Sequence, residues 1–344
     1  MRIARPHTLV LFALGCVPPR MMPSAGLEGV RVVGNSLMDA RGPVRLLGVN
    51  HSGAEYACVK GLGFFDGPPA DELAVAIRSW GANTVRLPLN EHCWLGSASG
   101  AFSGEGYRRA LESRVRTLRK HGLYVIVDLH WSAAPGRAAM GQEAMADGAN
   151  APAFWGAVAS SFRDDRGVLF DLFNEPFLTG PNAWTCWNHG CVGPQGDRVS
   201  GMQELIDAVR GEGATNVLLV GGLDYANDLR GWLAQGLRDP LGQLVASFHV
   251  YNFNRCRDED CWEREIAPVA RQVPVVAGEL GENDCEHGFL DRFVRWADTR
   301  GVSYLGWTWN LWDCRSGPSL VTTWSGTPTR FGEGLRVHLR GRRR

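Results

Sequence analysis

The sequence predicts an α/β protein: a closed (β/α)8 barrel (TIM barrel) with a short N-terminal β-hairpin. Eight apolar, β-branched runs alternate with longer stretches of helical periodicity, which is typical of parallel strands joined by helices. The pattern occupies about 300 residues, the size of an eightfold barrel. No G-x-G-x-x-G loop follows the first strand, which argues against an open doubly wound sheet, the alternative fold.

Glycine or proline bounds most of the apolar runs, and each run is followed by a stretch with apolar residues at three-to-four spacing. The strands are predicted at residues 44–50, 84–89, 124–130, 168–174, 216–221, 244–250, 275–279 and 304–309. The helices are predicted at residues 71–80, 105–120, 153–164, 202–210, 229–235, 262–272, 289–299 and 332–339. The N-terminal hairpin is predicted from residues 30–33 and 44–47, around a turn at 40–43.

The composition and net charge of the chain are those of a globular protein and argue against nucleic-acid binding. The chain has 344 residues, of which 44% are hydrophobic and 21% charged, so it can bury a large core. Its 36 Lys and Arg balance 36 Asp and Glu, which excludes the basic surface expected of a nucleic-acid-binding protein. Beyond the N-terminus, no stretch reaches the roughly 18 apolar residues of a membrane-spanning helix.

Residues 1–25 have the order of a secretory leader. Arg2 and Arg5 precede a short apolar segment at 8–14, and small residues and prolines follow up to position 25. Cys16 also fits a lipoprotein cleavage site, which would anchor the protein to a lipid, and a frayed cytosolic N-terminus is the other alternative. The sequence therefore predicts a secreted protein whose residues 26–344 form one barrel domain.

The cysteines agree with export, because eight remain after Cys16, an even number suited to disulfides. Two pairs lie five residues apart within loops, Cys186 with Cys191 and Cys256 with Cys261. This leaves Cys58 to pair with Cys93 and Cys285 with Cys314, although the sequence alone leaves the connectivity open. The spacing does not suit a zinc site, so we expect no metal.

Polar and aromatic residues gather where the predicted strands end. In an eightfold barrel these ends form one mouth, where charged residues carry a desolvation cost that packing does not explain. They are Asn50 and His51, Arg86 and Asn90, Asp128, His130 and Trp131, Asn174 and Glu175, Asp224 and Tyr225, His249 and Tyr251, Glu279, and Trp307 to Asn310.

Two of these residues, Glu175 and Glu279, point to a reaction. They end the fourth and seventh strands, so we expect their carboxylates to face each other across the mouth. Cleavage of a glycosidic bond uses such a pair: one carboxyl protonates the leaving oxygen, and the other attacks the sugar or activates water. The alternative is that each glutamate only pairs with an arginine such as Arg86.

The ordered set of strand-end motifs resembles the retaining cellulases of glycoside hydrolase family 5. The resemblance spans about residues 27–340 and rests on segments 84–86, 128–130, 174–176, 249–251 and 278–279. It implies that Glu175 is the general acid/base and Glu279 the nucleophile. We further expect Arg86 and Tyr251 to contact Glu279, and Asn174 to bind the sugar 2-hydroxyl.

The same resemblance suggests substrate-binding roles for His130 and His249, which taken singly would be expected to be buried core imidazoles. Aromatic rings after strand ends are expected to stack on sugars, and they include Trp94, Trp131, Tyr225, Trp307 and Trp309. Segment 309–311 resembles the part of the family that carries the sugar platform at the cleavage site, which implies Trp309 as this platform, with Trp307 as the alternative. His51 and Asn90 are expected to contribute polar contacts at the mouth.

The sequence thus predicts a secreted, monomeric endo-β-1,4-glucanase that acts on a β-linked polysaccharide or oligosaccharide and needs no cofactor. A β-mannanase or another β-glycosidase of the same family, with the same machinery, is the main alternative. An inactive carbohydrate-binding barrel is the remote one, because both expected carboxylates are present.

Overall fold

A computed structural model of the chain describes residues 29–315 and 317–341. The expected leader, Cys16 and the lipid anchor lie outside the described residues. Three short antiparallel strands come first: β1 (Arg31–Val33), β2 (Ser36–Asp39) and β3 (Gly42–Val44). The predicted N-terminal hairpin is therefore present, but its pairing differs from the prediction. β2 lies between the two predicted strands and pairs with both, because the chain already turns at residues 34–35.

The closed (β/α)8 barrel is confirmed. All eight barrel strands are parallel to their neighbours. The remaining strands in chain order are β4 (Leu47–Asn50), β5 (Thr84–Asn90), β6 (Tyr124–Trp131), β7 (Val168–Asp171), β8 (Cys191–Val192), β9 (Arg198–Val199), β10 (Leu218–Gly221), β11 (Leu244–Tyr251), β12 (Val275–Gly281) and β13 (Ser303–Gly306). β8 and β9 form a small separate hairpin, and around the barrel the order is β4-β5-β6-β7-β10-β11-β12-β13.

Helices connect the barrel strands. They are α1 (Ala70–Ser79), α2 (Glu91–Leu95), α3 (Glu105–Lys120), α4 (Ala151–Phe162), α5 (Ala183–His189), α6 (Met202–Gly211), α7 (Glu259–Cys261), α8 (Ala267–Ala270), α9 (Gly288–Arg300) and α10 (Arg330–Gly341). A π-helical turn, Trp262–Ile266, joins α7 to α8.

One predicted helix is largely absent. Residues 229–235 contain only a single 3-10 turn, Leu233–Gln235. Gly231 packs against the indole of Trp184, and Trp232 donates its indole N–H to the Val220 carbonyl at 3.0 Å. These tertiary contacts fix the segment in an irregular path despite its helical periodicity.

The inward faces of the strands change character along the barrel axis. Every second residue of a strand points to the same side. In β6, Tyr124 and Ile126 join a buried apolar cluster with Leu169 and Val245, whereas Asp128 and His130 continue the same face toward the carboxyl end. The barrel interior is therefore apolar at one end and polar at the other.

The N-terminal sheet closes the apolar end. Val30 and Leu37 belong to the same cluster as the inward residues of the barrel. The Tyr124 hydroxyl donates to Asp39 at 2.8 Å, which ties β6 to this sheet. The polar end is left as the open mouth.

Four disulfides join the eight cysteines of the described residues, and they match the expected pairs. The bridges are Cys58–Cys93, Cys186–Cys191, Cys256–Cys261 and Cys285–Cys314. Within residues 29–315 and 317–341, no helix is both long and apolar enough to cross a bilayer.

Close approach of two strands requires glycine at position 48. A Cβ on Gly48 would lie 1.8 Å from the carbonyl oxygen of Thr84 in the paired strand. We expect Gly48→Ala to lower the free energy of unfolding by about 3 kcal/mol, since backbone atoms cannot move aside as a side chain can. Urea denaturation followed by far-ultraviolet circular dichroism measures this loss.

The matched control is Gly211→Ala at the end of α6, where an added Cβ meets no heavy atom within 4 Å. This change should leave stability unchanged or raise it by up to about 1 kcal/mol, because alanine favours helix. Equal stability of the two variants would contradict the packing described for β4 and β5.

Candidate active site

Arg86 lies at the centre of the polar end of the barrel. The side chain is fully buried and contacts three carboxylates from three other strands. Its Nε donates to Asp171 Oδ2 at 2.9 Å and its Nη1 to Glu279 Oε1 at 2.9 Å, and its Nη2 lies 3.0 Å from Asp128 Oδ2. A planar guanidinium with five N–H groups can serve several acceptors at once, which a lysine cannot.

Two asparagines complete the coordination of the guanidinium. Arg86 Nη1 donates to Asn50 Oδ1 at 3.0 Å, and Nη2 donates to Asn174 Oδ1 at 2.8 Å. The Asn50 amide in turn donates to the Gly278 carbonyl at 2.9 Å. Asn174 Nδ2 is buried without a hydrogen-bond partner among the described residues, so this N–H group is available to a ligand.

Two of the three carboxylates that contact Arg86 have raised pKa values. Burial raises the pKa of both Asp128 and Asp171 to about 7, and the neighbouring Arg86 opposes the rise. Asp128 and Asp171 are therefore protonated at a higher pH than exposed aspartates would be.

A bulge in β12 turns Glu279 into the barrel. Phe248 pairs with Ala277 but the next residue, His249, pairs with Glu279, so one extra residue is inserted at Gly278. A regular strand with Val276 facing inward would point residue 279 outward. Gly278 also makes room here, because a Cβ would lie 3.1 Å from His249 Nε2.

Glu279 is held by two donors. Besides the contact with Arg86, its Oε2 accepts a hydrogen bond from the Tyr251 hydroxyl at 2.5 Å. Burial raises the pKa of Tyr251 well above its usual value, so this hydroxyl stays a proton donor. Glu279 itself is 3% exposed.

Glu175 lies beyond the end of β7 and forms no ion pair with an arginine among the residues that the structure describes. Its Oε1 is 2.8 Å from His249 Nδ1, and its Oε2 accepts from Gln142 Nε2 at 2.5 Å. Burial raises the pKa of Glu175, while His130, the Gln142 amide and Arg86 lower it in part. The two glutamates thus have different surroundings: one has a cation, the other neutral partners.

The two carboxylates are close together. A carboxylate oxygen of Glu175, one of Glu279 and a ring nitrogen of His249 all lie within 4.8 Å of one another. Burial lowers the pKa of His249 to about 3, so this imidazole is neutral. Retaining glycosidases have carboxyl groups about 5–5.5 Å apart, whereas inverting ones have them about 6.5–9.5 Å apart.

The imidazole ring of His130 is oriented by Asp128, and one of its faces is covered by Trp307. Its Nδ1 is 2.7 Å from Asp128 Oδ2, and its ring stacks on Trp307 with centroids 5.5 Å apart and planes 6° from parallel. Burial lowers the pKa of His130. Because Asp128 takes up Nδ1, the second nitrogen is left for the cavity.

A cavity of about 600 Å³ opens above these groups. Five of the expected site residues line it: Glu175, Glu279, His130, Tyr251 and Tyr225. Asn174, Arg86 and His249 support it from beneath. It is also lined by residues that the sequence analysis did not single out as site residues, among them Gln142, Trp312, Phe253, Asn254, Arg255 and Pro318.

One wall of the cavity continues as a row of aromatic rings. Trp307 is followed by Trp312 at 6.4 Å, Tyr56 at 6.3 Å and Trp131 at 6.5 Å between successive centroids. The ammonium of Lys60 lies 4.9 Å from the centre of the Tyr56 ring. Trp131, expected as a sugar platform, therefore lies at the far end of this row.

Two further rings that line the cavity, Tyr225 and Phe253, each stack on a second ring. Tyr225 stacks on Phe177 with centroids 4.8 Å apart, and Phe253 stacks on Tyr251 at 5.0 Å. Tyr225 belongs to a turn in which Asp224, Tyr225 and Ala226 all have positive φ, between 56° and 59°. A non-glycine residue in this conformation costs on the order of 1–3 kcal/mol, and such strain concentrates at functional sites.

The prediction that Trp309 and Trp94 stack on sugars is wrong. Trp309 is fully buried, with its ring packed edge-on against Trp80 at 4.7 Å, so it cannot stack on a sugar. Trp94 is also fully buried, among Phe154 and Phe162. The alternative, Trp307, is the ring that lines the cavity, because β13 ends at Gly306 and the next side chain points into the mouth.

Two expected polar contacts also lie away from the cavity. Asn90 caps α2 and donates to the carbonyls of Glu55 and Ala139 at 2.8 Å each. His51 is buried beside Trp324, and burial lowers its pKa well below the usual value. Both stabilise the loops of the mouth and do not line the cavity.

Removing the central cation should destabilise the fold. We expect Arg86→Ala to lower the free energy of unfolding by about 3–5 kcal/mol at pH 8, since three buried carboxylates lose their partner. The loss should be smaller at pH 5, because Asp128 and Asp171, whose pKa values are already raised, take up protons as the pH falls. Urea denaturation at both pH values measures the difference.

The control is Arg109→Ala, which removes an exposed ion pair with Glu105 on α3. Stability should change by less than about 0.5 kcal/mol at either pH. If Arg86→Ala behaved like this control, Arg86 would not be the group that holds the polar end together.

Comparisons with known proteins agree with this geometry. The family model described as Cellulase (glycosyl hydrolase family 5) matches residues 41–312. Endoglucanase 1 of Saitozyma flava is 26% identical over 242 residues, which cover 66% of each chain. Endoglucanase 5 of Pectobacterium carotovorum subsp. carotovorum is 22% identical over 309 residues, which cover 88% of this chain but 53% of the relative. The chain thus spans between half and two thirds of the length of these two relatives.

A mannan endo-1,4-beta-mannosidase of Streptomyces lividans is 24% identical over 321 residues, covering 88% of this chain and 71% of the relative. Among solved structures, a beta-glucanase from Saccharophagus degradans superposes with a TM-score of 0.68 at 21% identity, covering 95% of this chain and 98% of that one. A beta-mannanase from Thermomonospora fusca gives 0.67 at 19% identity, covering 90% and 95%. These structures share the fold, and the extent of the family match shows that the chain belongs to glycosyl hydrolase family 5.

Proposed function

We propose that the protein is a retaining endo-β-1,4-glucanase that cleaves internal bonds of cellulose or related β-glucans. The observation that carries the proposal is the proximity of Glu175 and Glu279: one carboxylate oxygen of each lies within 4.8 Å of the other. This proximity supports direct attack on the sugar by one carboxylate, as in a retaining enzyme, over the wider spacing of an inverting one.

In the first step, Glu279 attacks the anomeric carbon while Glu175 gives its proton to the glycosidic oxygen. The bond to the leaving sugar breaks, and a covalent glycosyl ester forms on Glu279. The contact with Arg86 supports Glu279 as the charged nucleophile, and the raised pKa of Glu175 supports it as the acid.

In the second step, Glu175 is a carboxylate and takes a proton from water. The water oxygen adds to the anomeric carbon, and Glu279 departs as a carboxylate, so the sugar keeps its original configuration. Neutral His249 touches both glutamates and can donate to or accept from Glu175 as that group changes charge.

The unpaired amide group of Asn174 and the rings that line the cavity indicate how a substrate would bind. The Asn174 amide is oriented by Arg86 and presents its unpartnered N–H to a sugar hydroxyl. Trp307 offers a flat apolar face for the sugar at the cleavage site, with His130 beside it. No step requires a metal or cofactor, and we propose a monomeric protein.

Secretion is supported by the four disulfides, because such bridges persist in oxidising compartments.

A β-mannanase is the second candidate, supported by the mannan endo-1,4-beta-mannosidase among the relatives. A binding protein without activity is disfavoured, because both carboxylates and their supporting groups are present.

The first experiment is reducing-end release from β-1,4-glucan, mixed-linkage glucan, β-mannan, xyloglucan and xylan by the purified protein. We expect the highest rate on a glucan, with a rapid fall in viscosity that shows internal cleavage. Activity on mannan alone would make the second candidate correct. Inversion of the anomeric configuration, followed by nuclear magnetic resonance, would contradict the retaining mechanism.

Replacing the nucleophile should abolish turnover without removing substrate binding. We expect Glu279→Gln to lower kcat at least about 1,000-fold, since an amide cannot form the glycosyl ester. Isothermal titration with an oligosaccharide of the preferred polymer should still show binding. The matched change Glu286→Gln, at an exposed glutamate of the segment after β12, should retain normal kcat; substantial turnover by Glu279→Gln would refute the assignment.

The Gln142 amide should set the alkaline limit of activity. Glu175 must be protonated in the first step, so kcat/KM falls as the pH rises through its pKa. The hydrogen bond from Gln142 stabilises the carboxylate and lowers that pKa, against the increase caused by burial. Gln142→Leu should therefore shift the alkaline limb of the kcat/KM profile to higher pH.

The other charged or titratable groups near Glu175 are unchanged in this variant; they are His130, His249, Arg86, Glu279, Asp128 and Tyr251. Gln195→Leu, at an exposed glutamine that does not line the catalytic cavity, is the control and should keep the normal profile. A shift to lower pH in Gln142→Leu would mean that the amide favours the protonated acid.

A further inference from the structure

We propose that Lys60 makes the protein selective for glycans that carry carboxylate groups, as uronic acids do. The side chain lies at the far end of the aromatic row, defined as Trp307, Trp312, Tyr56 and Trp131. The inference rests on the proposed function and names a substrate class for it. The rings alone offer flat apolar faces, which suit neutral and charged sugars alike, so the selectivity depends on the lysine.

The aromatic row leads away from the reacting groups. It begins at Trp307, which lines the cavity with the two glutamates, and successive ring centroids are 6.4, 6.3 and 6.5 Å apart as far as Trp131. All four rings are half-buried, so each keeps some surface open to a ligand. A glycan chain that follows the row from the cleavage site therefore reaches Lys60 with a sugar that takes no part in the reaction.

The Lys60 ammonium is held over the end of the row. Its Nζ lies 4.9 Å from the centre of the Tyr56 ring and 5.9 Å from that of Trp131. The negative faces of both rings attract a cation in this position. The backbone beneath it is fixed as well: the Lys60 amide donates to the Tyr56 carbonyl at 3.0 Å, and Cys58, between these two residues in sequence, is bridged to Cys93.

Within the part of the chain that the structure describes, Lys60 forms no ion pair with a carboxylate. The acidic residues closest to it in sequence have other partners. Asp66 accepts from the Tyr56 hydroxyl at 2.7 Å and from the Asn310 amide at 3.3 Å, and Glu55 is buried. The charge of Lys60 is therefore available to an anion that the substrate supplies.

Two other cations of the mouth differ from Lys60 in this respect. Arg86 contacts three carboxylates of the protein, and Arg255 pairs with Glu265 at 2.7 Å and with Asp224 at 3.4 Å. An anionic group of the substrate would have to displace these partners, so neither arginine provides the selectivity that we assign to Lys60.

The position of the ammonium suits a group at the edge of a sugar ring. A pyranose that stacks its flat face on Trp131 directs its exocyclic groups outward, and a carboxylate at C6 then extends past the indole. Lys60 Nζ lies 5.9 Å from the indole centre, on the side of Tyr56, and is within reach of such a group. A hydrogen bond between two charged groups is stronger than one to the hydroxymethyl group of a neutral sugar.

The test compares two forms of the polymer that the substrate panel prefers. One is lightly carboxymethylated, and the other is the same preparation after its carboxylates have been converted to neutral methylamides, so that the backbone and the degree of substitution are identical. At pH 6 and low salt, we expect a higher kcat/KM on the charged form. Lys60→Gln should lower the ratio of the two kcat/KM values about fivefold, the effect of one exposed ion pair.

Sodium chloride at about 0.5 M should reduce the ratio in the intact protein, because salt screens exposed charges. Lys60→Arg keeps the charge and should keep most of the ratio. Lys120→Gln is the matched control and should leave the ratio unchanged: Lys120 is the only other lysine of the chain, and it ends α3 just before β6 begins, at the apolar end of the barrel.

Equal kcat/KM values of the intact protein on the two forms would overturn the selectivity. A ratio that Lys60→Gln leaves unchanged, or that Lys120→Gln lowers as much, would overturn the role of Lys60. In each of these cases, cleavage of the unmodified polymer leaves the proposed function standing. No cleavage of any unmodified polymer would overturn the proposed function, and this inference with it.

Discussion

A single buried guanidinium connects the fold to the chemistry of this protein. Arg86, on the second barrel strand, contacts carboxylates from the third, fourth and seventh strands. Burying those carboxylates without a cation would cost several kcal/mol each, so the polar end of the barrel depends on this side chain. The same contacts fix the orientation of Asn174 and the position of Glu279, and therefore a group that the fold requires also arranges the groups of the proposed reaction.

The mouth needs a second kind of support, because its walls are loops. Three disulfides lie beside the rings that line or extend the cavity: Cys285–Cys314 next to Trp312, Cys256–Cys261 next to Phe253, and Cys58–Cys93 on the segment of Tyr56. Each bridge restricts a segment that has little regular secondary structure. Arg86 thus stabilises the floor of the cavity, and the three disulfides stabilise the loops that form its walls.

Cysteine spacing suggested the disulfide pairs but left their connectivity open. Strand periodicity and the strand-end motifs were sufficient to predict the barrel and the meeting of Glu175 with Glu279. They could not predict the bulge at Gly278, although without it Glu279 would face outward, because a one-residue insertion does not alter the apolar pattern. The resemblance of segment 309–311 to the family favours Trp309, and the sequence does not show that β13 ends at Gly306, with Trp307 in the cavity. Gln142 was missed because it lies in a long loop, where no periodicity indicates which side chain turns inward.

Glu175 and Glu279 have one carboxylate oxygen each within 4.8 Å of the other, and their different surroundings support the different roles proposed for them. Glu279 contacts a permanent cation and a phenol, whereas Glu175 contacts an amide and an imidazole that is neutral because its pKa is about 3. If His249 were charged, it would stabilise the Glu175 carboxylate and remove the acid needed for the first step. Burial of His249 is therefore as necessary to the proposed mechanism as burial of the glutamates. The turn at residues 224–226 accepts a hydrogen bond from the His249 backbone and so helps to hold this imidazole in its buried position.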